Sequence, residues 1–211
     1  MFFNKFKYFG ILTTMNFSND EKAWITAHEF FLTFFKIYKN YKFWMIGNKS
    51  WDLIKWNANG CVLISEQALE NYFKDKTLTK NSKAFDYGGI RGARCFVAEH
   101  PVPTSELKKF SFKKFNKKYP DLKNFKSFFS TYNRICYIWH EEDSELNKAG
   151  LRSTIKVDEL SPLNMFSRYD TVDIKQISTN FKTGNELFKF LKMQRDNNVH
   201  FSDVKKLLKD D

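Results

Sequence analysis

Cysteine is scarce in this 211-residue chain, and its spacing excludes two classes of small protein. The three cysteines are Cys61, Cys95 and Cys136, and no two of them form a C-x-x-C pair. This spacing argues against a zinc site built on cysteines and against a disulfide framework. An odd number of scattered thiols is typical of reduced proteins, so we expect a cytoplasmic location.

Long apolar runs are also missing. The first 17 residues are largely apolar, but Lys5 and Lys7 interrupt them and no A-x-A-like cleavage site follows. We therefore do not expect a signal peptide here. No other stretch approaches the roughly 20 apolar residues that a membrane-spanning helix requires. The sequence predicts a protein that does not enter a membrane.

Several common catalytic motifs are absent as well. The chain has no G-x-S-x-G elbow, no dinucleotide fingerprint, no H-E-x-x-H helix and no kinase signature. The sequence therefore gives no support to an α/β-hydrolase, a nicotinamide-dependent enzyme, a zinc protease or a kinase.

Positive charge is abundant, but little of it comes from arginine. The net charge is +11, from 35 basic and 24 acidic residues, and only six of the basic residues are arginine. A basic protein of this size is attracted to polyanions, because binding releases their counterions. Each arginine is more informative than a lysine, since its planar guanidinium clamps a phosphate or reads guanine.

Lysine and phenylalanine are concentrated in residues 108–126, which we call the lysine segment. Its eight lysines alternate with aromatic residues, and Asp121 is its only acidic residue. The lysines are Lys108, Lys109, Lys113, Lys114, Lys117, Lys118, Lys123 and Lys126. Lysine pairs at this spacing form a charged helical stripe that suits contact with a phosphate backbone. The alternative is an ordinary amphipathic helix with a solvated lysine face, and AT-rich coding alone also favours lysine and phenylalanine.

The hydrophobic pattern predicts an α+β fold, with a small, mostly antiparallel sheet flanked by helices and an aromatic-rich core. Helices are expected from residue 21 to about 39, from 66 to about 74, after 104, after 121, over 140–149, after 183 and after 202. Strands are expected over 41–46, 51–56, 93–98 and 133–139, and residues 61–64 form a compact apolar run. The length suits one domain over 1–211, with a subdivision into 1–92 and a candidate catalytic and nucleic-acid-binding part over 93–211.

One acid–histidine pair stands out at the end of a predicted strand. Glu99 and His100 follow the run 93–98, Asn133 opens the next predicted strand, and His140 follows that strand at a helix start. A proline also follows the histidine, in the order E-H-x-x-P. This series resembles the HNH, or ββα-metal, nucleases over about 50 residues.

The resemblance implies a role for each of these residues. His100 would be the general base that activates water, since a neutral imidazole accepts a proton near physiological pH. Asn133 would orient the imidazole. Glu99 and His140 would hold a divalent metal such as Mg²⁺, with Asp143 as a further ligand, and the metal would stabilise the developing charge. The alternative is that His100 is a surface histidine followed by a rigid proline turn.

Two further arginine-bearing stretches belong to the predicted basic surface. The loop 86–94 has three glycines and carries Arg91 and Arg94, which suits phosphate contact. Arg152 follows Gly150, where a helix is expected to stop. The alternatives are a flexible hairpin connection for the loop, and for Arg152 a cation that stabilises the helix C-terminus.

The sequence therefore predicts a DNA-acting protein, in first place a metal-dependent HNH-like endonuclease of the restriction, phage-defence or mobile-element kind. The alternative is a non-catalytic basic protein, either a nucleic-acid-binding regulator or a phage-type inhibitor that docks on an acidic protein surface. The two differ in geometry. A nuclease requires Glu99, His100, Asn133 and His140 to converge in one cleft, whereas a binding protein requires only a continuous basic patch.

Overall fold

The computed structural model describes residues 21–41, 51, 54, 58–74, 96–116 and 118–208, and every structural statement below concerns these residues. Eight helices and four strands have both ends among these residues. In chain order these are α1 (Glu21–Tyr41), β1 (Leu63–Ser65), α2 (Glu66–Lys74), β2 (Phe96–Glu99), α3 (Thr104–Phe115), α4 (Leu122–Tyr132), β3 (Cys136–Trp139), α5 (His140–Lys148), α6 (Ser167–Asp170), β4 (Gln176–Ser178), α7 (Gly184–Asp196) and α8 (Phe201–Leu207).

The four strands form one sheet in the order β2-β3-β1-β4. The two outer pairs are antiparallel and the central pair, β3 with β1, is parallel. The predicted α+β class is thus confirmed. The prediction of a mostly antiparallel sheet was wrong, because the sheet is mixed. Parallel strands require a long crossover, and the chain between β1 and β3 supplies one that includes α2, β2, α3 and α4.

An aromatic cluster fills the space between three helices. Phe31 of α1 lies 5.7 Å from Phe112, 5.8 Å from Phe115, 5.5 Å from Phe125 and 5.8 Å from Phe129, measured between ring centroids. All five rings are buried. The aromatic-rich core is confirmed, and it fixes α3 and α4, which carry the lysine segment, against α1.

Both faces of the sheet are covered, so every residue of β3 is buried. Tyr137 and Trp139 belong to one cluster, with Leu187 and Leu191 of α7. Cys136 and Ile138 belong to another, which includes Leu146 of α5, Leu151 and Tyr169. A strand that is buried on both faces reads as a continuous apolar run, and this is the pattern of Cys136–Trp139.

Helix boundaries with local signals agree with the prediction. Asp121 caps α4 by accepting the Asn124 backbone N–H at 2.8 Å. Thr183 and Glu186 form the capping box of α7, and Gly150, with φ +70°, follows the end of α5. Such signals act within one helical turn, so the sequence alone reveals them.

The expected strand over 51–56 was wrong at Trp51 and Ile54, which are both helical, and its other residues lie outside the described ones. Both side chains are buried and pack in the aromatic cluster. A short alternating aromatic run does not distinguish a strand from one face of a helix. The expected strand over 41–46 and the loop 86–94 lie outside the described residues, apart from Tyr41, which ends α1. None of the helices described is both long and apolar enough to cross a bilayer.

Candidate functional site

The strand pair β2–β3 determines where the acid–histidine residues lie. Phe96 pairs with Trp139 and Glu99 pairs with Cys136 in antiparallel register. Glu99 therefore lies at the end of the strand pair where β3 begins, and His140 lies at the end where β3 stops. His140 is four positions after Cys136, which corresponds to about 13 Å along a strand. The structure brings Glu99, His100 and Asn133 to one end of the pair and leaves His140 at the other.

Helix α5 follows this strand pair and packs on both strands through Leu146. The resemblance to ββα-metal nucleases implies two paired strands followed by a helix, and these are present, although α3 and α4 lie between the two strands along the chain. The ligand positions differ, however. His140 and Asp143 lie in the first turns of α5, which start at the end of β3 remote from Glu99.

Glu99 is engaged in a buried ion pair. Its Oε1 lies 2.5 Å from Nη2 of Arg168, whose side chain has no exposed area. The Nη1 of Arg168 donates to the carbonyls of Leu151 and Arg152, each at 2.7 Å. Oε1 of Glu99 also accepts the backbone N–H of His100 at 3.1 Å. The predicted metal ligand thus joins β2 to the segments around 151 and 168.

His100 is half-buried and leads into the turn Pro101-Val102-Pro103, all three residues of which are buried. The turn ends at α3, where the carbonyl of Pro103 accepts the first helical hydrogen bond, from Leu107. The proline turn of the alternative interpretation is thus present, but His100 before it is half-buried rather than on the surface.

Asn133 is fully buried and ends α4. Its Nδ2 donates to the carbonyl of Ala58 and to Oδ1 of Asn59, both at 2.8 Å. Its own carbonyl accepts the Gly60 N–H at 2.9 Å. These bonds attach residues 58–60 to the segment that leads into β3. The side-chain N–H groups of Asn133 therefore stabilise the fold.

The two remaining predicted ligands are on the surface of α5. His140 is 53% exposed, with its Nε2 at 3.0 Å from Oε1 of Glu141. Asp143 accepts a hydrogen bond from Asn147 at 3.3 Å. Among the described residues, no three or more His, Cys, Asp or Glu side chains are grouped so as to hold a metal ion.

Two buried charged residues escaped the sequence interpretation. Arg168 is one, and its only signal was the scarcity of arginine. Glu142 is the other; its Oε2 accepts from Ser65 Oγ at 2.5 Å and from the Trp139 N–H at 2.7 Å. Burial raises the pKa of Glu142, against the opposing effect of these two hydrogen bonds. Glu142 thereby joins α5 to the start of α2.

The lysine segment separates its two residue types by face. Phe112, Phe115 and Phe125 are buried in the aromatic cluster, and most of the lysines are exposed. The exposed lysines are Lys109, Lys113, Lys114, Lys118 and Lys123. Arg91, Arg94 and Lys117 lie outside the described residues.

Several of these cations already contact other groups. Lys109 lies 2.7 Å from Glu106 and Lys126 lies 2.5 Å from Glu21. Lys113 donates to the carbonyl of Asp158 at 3.1 Å. Lys108 is half-buried, with its Nζ at 6.0 Å from the centroid of the Trp51 ring, and burial lowers its pKa.

Three lysines of the segment differ from these. Lys114, Lys118 and Lys123 are exposed, and no carboxylate of the described residues lies within ion-pair distance of them. Arg152 is also exposed, and the neighbouring Ser153 carbonyl accepts from Ser105 at the start of α3 at 3.3 Å. The arrangement offers cations to a ligand from both ends of α3.

Comparison of the chain with protein-family models, curated proteins and solved structures finds no match. Its function is therefore argued from its own residues. The strand ends hold polar groups that bind one another, and the lysine segment holds cations that face solvent.

Proposed function

We propose that this chain is a non-catalytic nucleic-acid-binding protein, with DNA as the favoured ligand and the lysine segment as the surface that contacts phosphates. The observation that carries the proposal is the exposure of Lys114, Lys118 and Lys123 without a carboxylate partner among the described residues. Eight lysines and one acidic residue in 19 positions make this the most basic stretch of the chain.

Three lysines elsewhere provide a comparison, although Lys36, Lys156, Lys189 and Lys192 are also exposed and have no carboxylate partner among the described residues. The lysine segment differs in that three such lysines fall within ten positions, 114–123. Lys74, Lys148 and Lys206 each pair with a carboxylate on their own helix, within one turn. A phosphate that approaches such a lysine must compete with the carboxylate already there. At Lys114, Lys118 and Lys123 it meets no such competitor, so each contact is more favourable.

The aromatic cluster supports binding by fixing α3, which carries Lys114, and α4, which carries Lys123; Lys118 lies in the turn between them. Phe112 and Phe115 hold α3, and Phe125 and Phe129 hold α4, against Phe31. Lysines on helices fixed in this way keep a constant spacing, which lowers the entropic cost of binding several phosphates at once.

The metal-dependent endonuclease is the second hypothesis, and the order β2, β3, α5 is the observation that favours it. Against it stand the ion pair between Glu99 and Arg168 and the position of His140 at the remote end of β3. A nuclease of this kind would require Glu99 to leave a buried guanidinium before it binds a metal.

The direct test measures binding of fluorescein-labelled DNA by fluorescence anisotropy at several salt concentrations. We expect affinity to fall steeply as salt rises, since each phosphate contact contributes about −0.9 to the log–log slope on duplex DNA and about −0.7 on single strands. Replacing Lys114, Lys118 and Lys123 together by Ala should weaken binding and make the slope less negative by about two to three.

The matched control removes the same charge elsewhere. The triple variant Lys74→Ala, Lys148→Ala, Lys206→Ala loses three lysines that are paired with carboxylates, so we expect it to bind almost like the wild type. Equal losses in the two triple variants would show that only net charge matters, and would contradict a binding surface at the lysine segment.

A cleavage assay separates the two hypotheses. Wild-type and His100→Ala proteins are incubated with plasmid DNA in Mg²⁺, in Mn²⁺ and in chelator. We expect no cleavage in any of them. Cleavage that disappears with chelator and with His100→Ala would instead establish the nuclease. If the wild type neither cleaves nor binds, docking on an acidic protein surface becomes the better hypothesis.

A further inference from the structure

Tyr119 is an exception among the aromatic rings of this protein. It is 47% exposed, and it is the only Phe, Tyr or Trp that counts as exposed among the side chains that the structure describes. The rings on either side of it along the chain, Phe115 and Phe125, are both buried. Tyr119 lies within the lysine segment, in the turn that joins α3 to α4.

The turn that carries Tyr119 is fixed from three directions. The ring of Tyr119 lies 5.4 Å from that of Phe35 in an edge-to-face arrangement. Nε2 of His28 lies 2.8 Å from the carbonyl of Pro120 and must carry the proton that it donates. Asp121 caps α4 immediately afterwards. The ring is therefore held in place before any ligand arrives.

Two cations of the lysine segment lie close to Tyr119 along the chain. Lys118 precedes it, Lys123 lies in the first turn of α4, and both are exposed without a carboxylate partner among the described residues. Lys36 of α1 is exposed as well, next in sequence to the Phe35 that supports the ring. Proteins that bind single strands combine cations, which contact the phosphates, with aromatic rings, on which the bases stack.

A duplex offers no free base face on which such a ring can stack. Its base faces are stacked on one another, so an aromatic side chain outside the grooves meets only phosphate and sugar. An unpaired base presents its face and stacks on tyrosine whatever its identity. We infer that the lysine segment prefers single-stranded over double-stranded nucleic acid, with Tyr119 stacking on an unpaired base; this inference rests on the proposed function.

The test uses four probes, each 20 nucleotides long, that separate the contribution of the bases to affinity from that of the phosphates. These are oligo(dT), oligo(rU), an abasic strand with the same phosphates, and a DNA duplex. We expect oligo(dT) to bind more tightly than the abasic strand and the duplex. The oligo(rU) arm shows whether RNA is bound in the same way as DNA.

Substitution of Tyr119 then locates the effect. Tyr119→Ala should weaken binding of oligo(dT) by about fivefold or more, since stacking on one base corresponds to at least that factor. The same variant should bind the abasic strand unchanged, and Tyr119→Phe should bind like the wild type. Leu163→Ala is the control, because Leu163 is also an exposed apolar side chain, at 96%, but lies outside the segment.

The outcomes distinguish this inference from the proposed function. If the wild type binds all the probes with salt dependence but Tyr119→Ala changes none of them, or if the duplex binds best, the single-strand inference is overturned and the binding function stands. If no probe binds, both are overturned. Thermal melting of Tyr119→Ala close to that of the wild type ensures that a loss of affinity reports on the ring.

Discussion

Where β2 ends and β3 begins, the charged and amide side chains are buried or half-buried and bind other parts of the chain, whereas most lysines of the lysine segment lie in solvent. Glu99 and Arg168 bind each other, and Asn133 binds residues 58 and 59. Lys114 and Lys118 have no carboxylate partner among the described residues. Both regions contain the residue types from which sites are built, and they differ in whether the fold already satisfies them.

This difference separates stability from binding. A buried polar group whose partner is removed has no water to replace it, so its loss is costly to the folded state. An exposed lysine is hydrated in either state, so its removal leaves stability almost unchanged. Substitutions in the two regions should therefore change different measurements.

The largest effect is expected at Arg168. Arg168→Ala leaves the Glu99 carboxylate and the carbonyls of residues 151 and 152 without their buried donor, so it should lower the free energy of unfolding by about 3–5 kcal/mol. Urea denaturation followed by circular dichroism measures this. The double variant Glu99→Gln, Arg168→Met removes both charges and should recover part of the loss. A change of less than about 1 kcal/mol in Arg168→Ala would contradict a structural role for the pair.

A smaller loss is expected at Asn133. Asn133→Ala removes two buried hydrogen bonds, to Ala58 and Asn59, and should cost about 1–3 kcal/mol in unfolding free energy. Asn147→Ala is the matched control, because Asn147 is exposed and its side chain donates only to Asp143 among the described residues; it should change stability by less than about 0.5 kcal/mol. Equal effects of the two substitutions would remove the distinction between buried and exposed amides.

A pH-dependent effect is expected at Glu142. Its pKa is raised in the folded state, so the folded protein binds a proton more tightly than the unfolded chain does, and the stability that this contributes is lost as pH rises from about 4.5 through the raised pKa. The variant Glu142→Gln keeps a neutral acceptor at the same place. Its stability relative to the wild type should therefore rise with pH over this window.

The control for this effect lies on the same helix. Glu145 is 54% exposed and pairs with Lys148, so Glu145→Gln removes one carboxylate from α5 without changing the buried site. Unfolding free energies of the three proteins, measured across the same pH series, give the comparison. A constant difference between Glu142→Gln and the wild type would show that Glu142 does not titrate in this way.

The smallest effect on stability is expected in the lysine segment. Replacing Lys114, Lys118 and Lys123 by Ala should change the free energy of unfolding by less than about 0.5 kcal/mol for each lysine, although nucleic-acid binding falls. Denaturation of the same triple variant used for binding measures this. A large loss of stability would mean that these lysines serve the fold, as Arg168 does.

Local signals in the sequence were sufficient for much of this fold. The helix start at Asp121, the capping box at Thr183 and the spacing of Trp24, Ala27, Phe31 and Phe35 on α1 each involve residues within a few turns of one another. Pairings across the chain had no such signal. Glu99 and Arg168 are 69 residues apart, and Ser65 and Glu142 are 77 apart.

The candidate site was predicted less well for the same reason. The residue types of a nuclease motif are present in order, and the antiparallel strands and the following helix are there. Residue order does not reveal that an arginine from another segment binds Glu99, or that Asn133 turns its amide to residues 58 and 59.

The sequence by itself determined where the positive charge lies and which face of each amphipathic helix is apolar, because composition and periodicity are local properties. Only the tertiary structure decided which polar groups are buried in pairs and which remain for a ligand. It also decided that β1 and β3 run parallel and that Tyr119 is the only exposed one among the described Phe, Tyr and Trp rings. Burial depends on contacts between segments that are distant along the chain, so no local pattern fixes it.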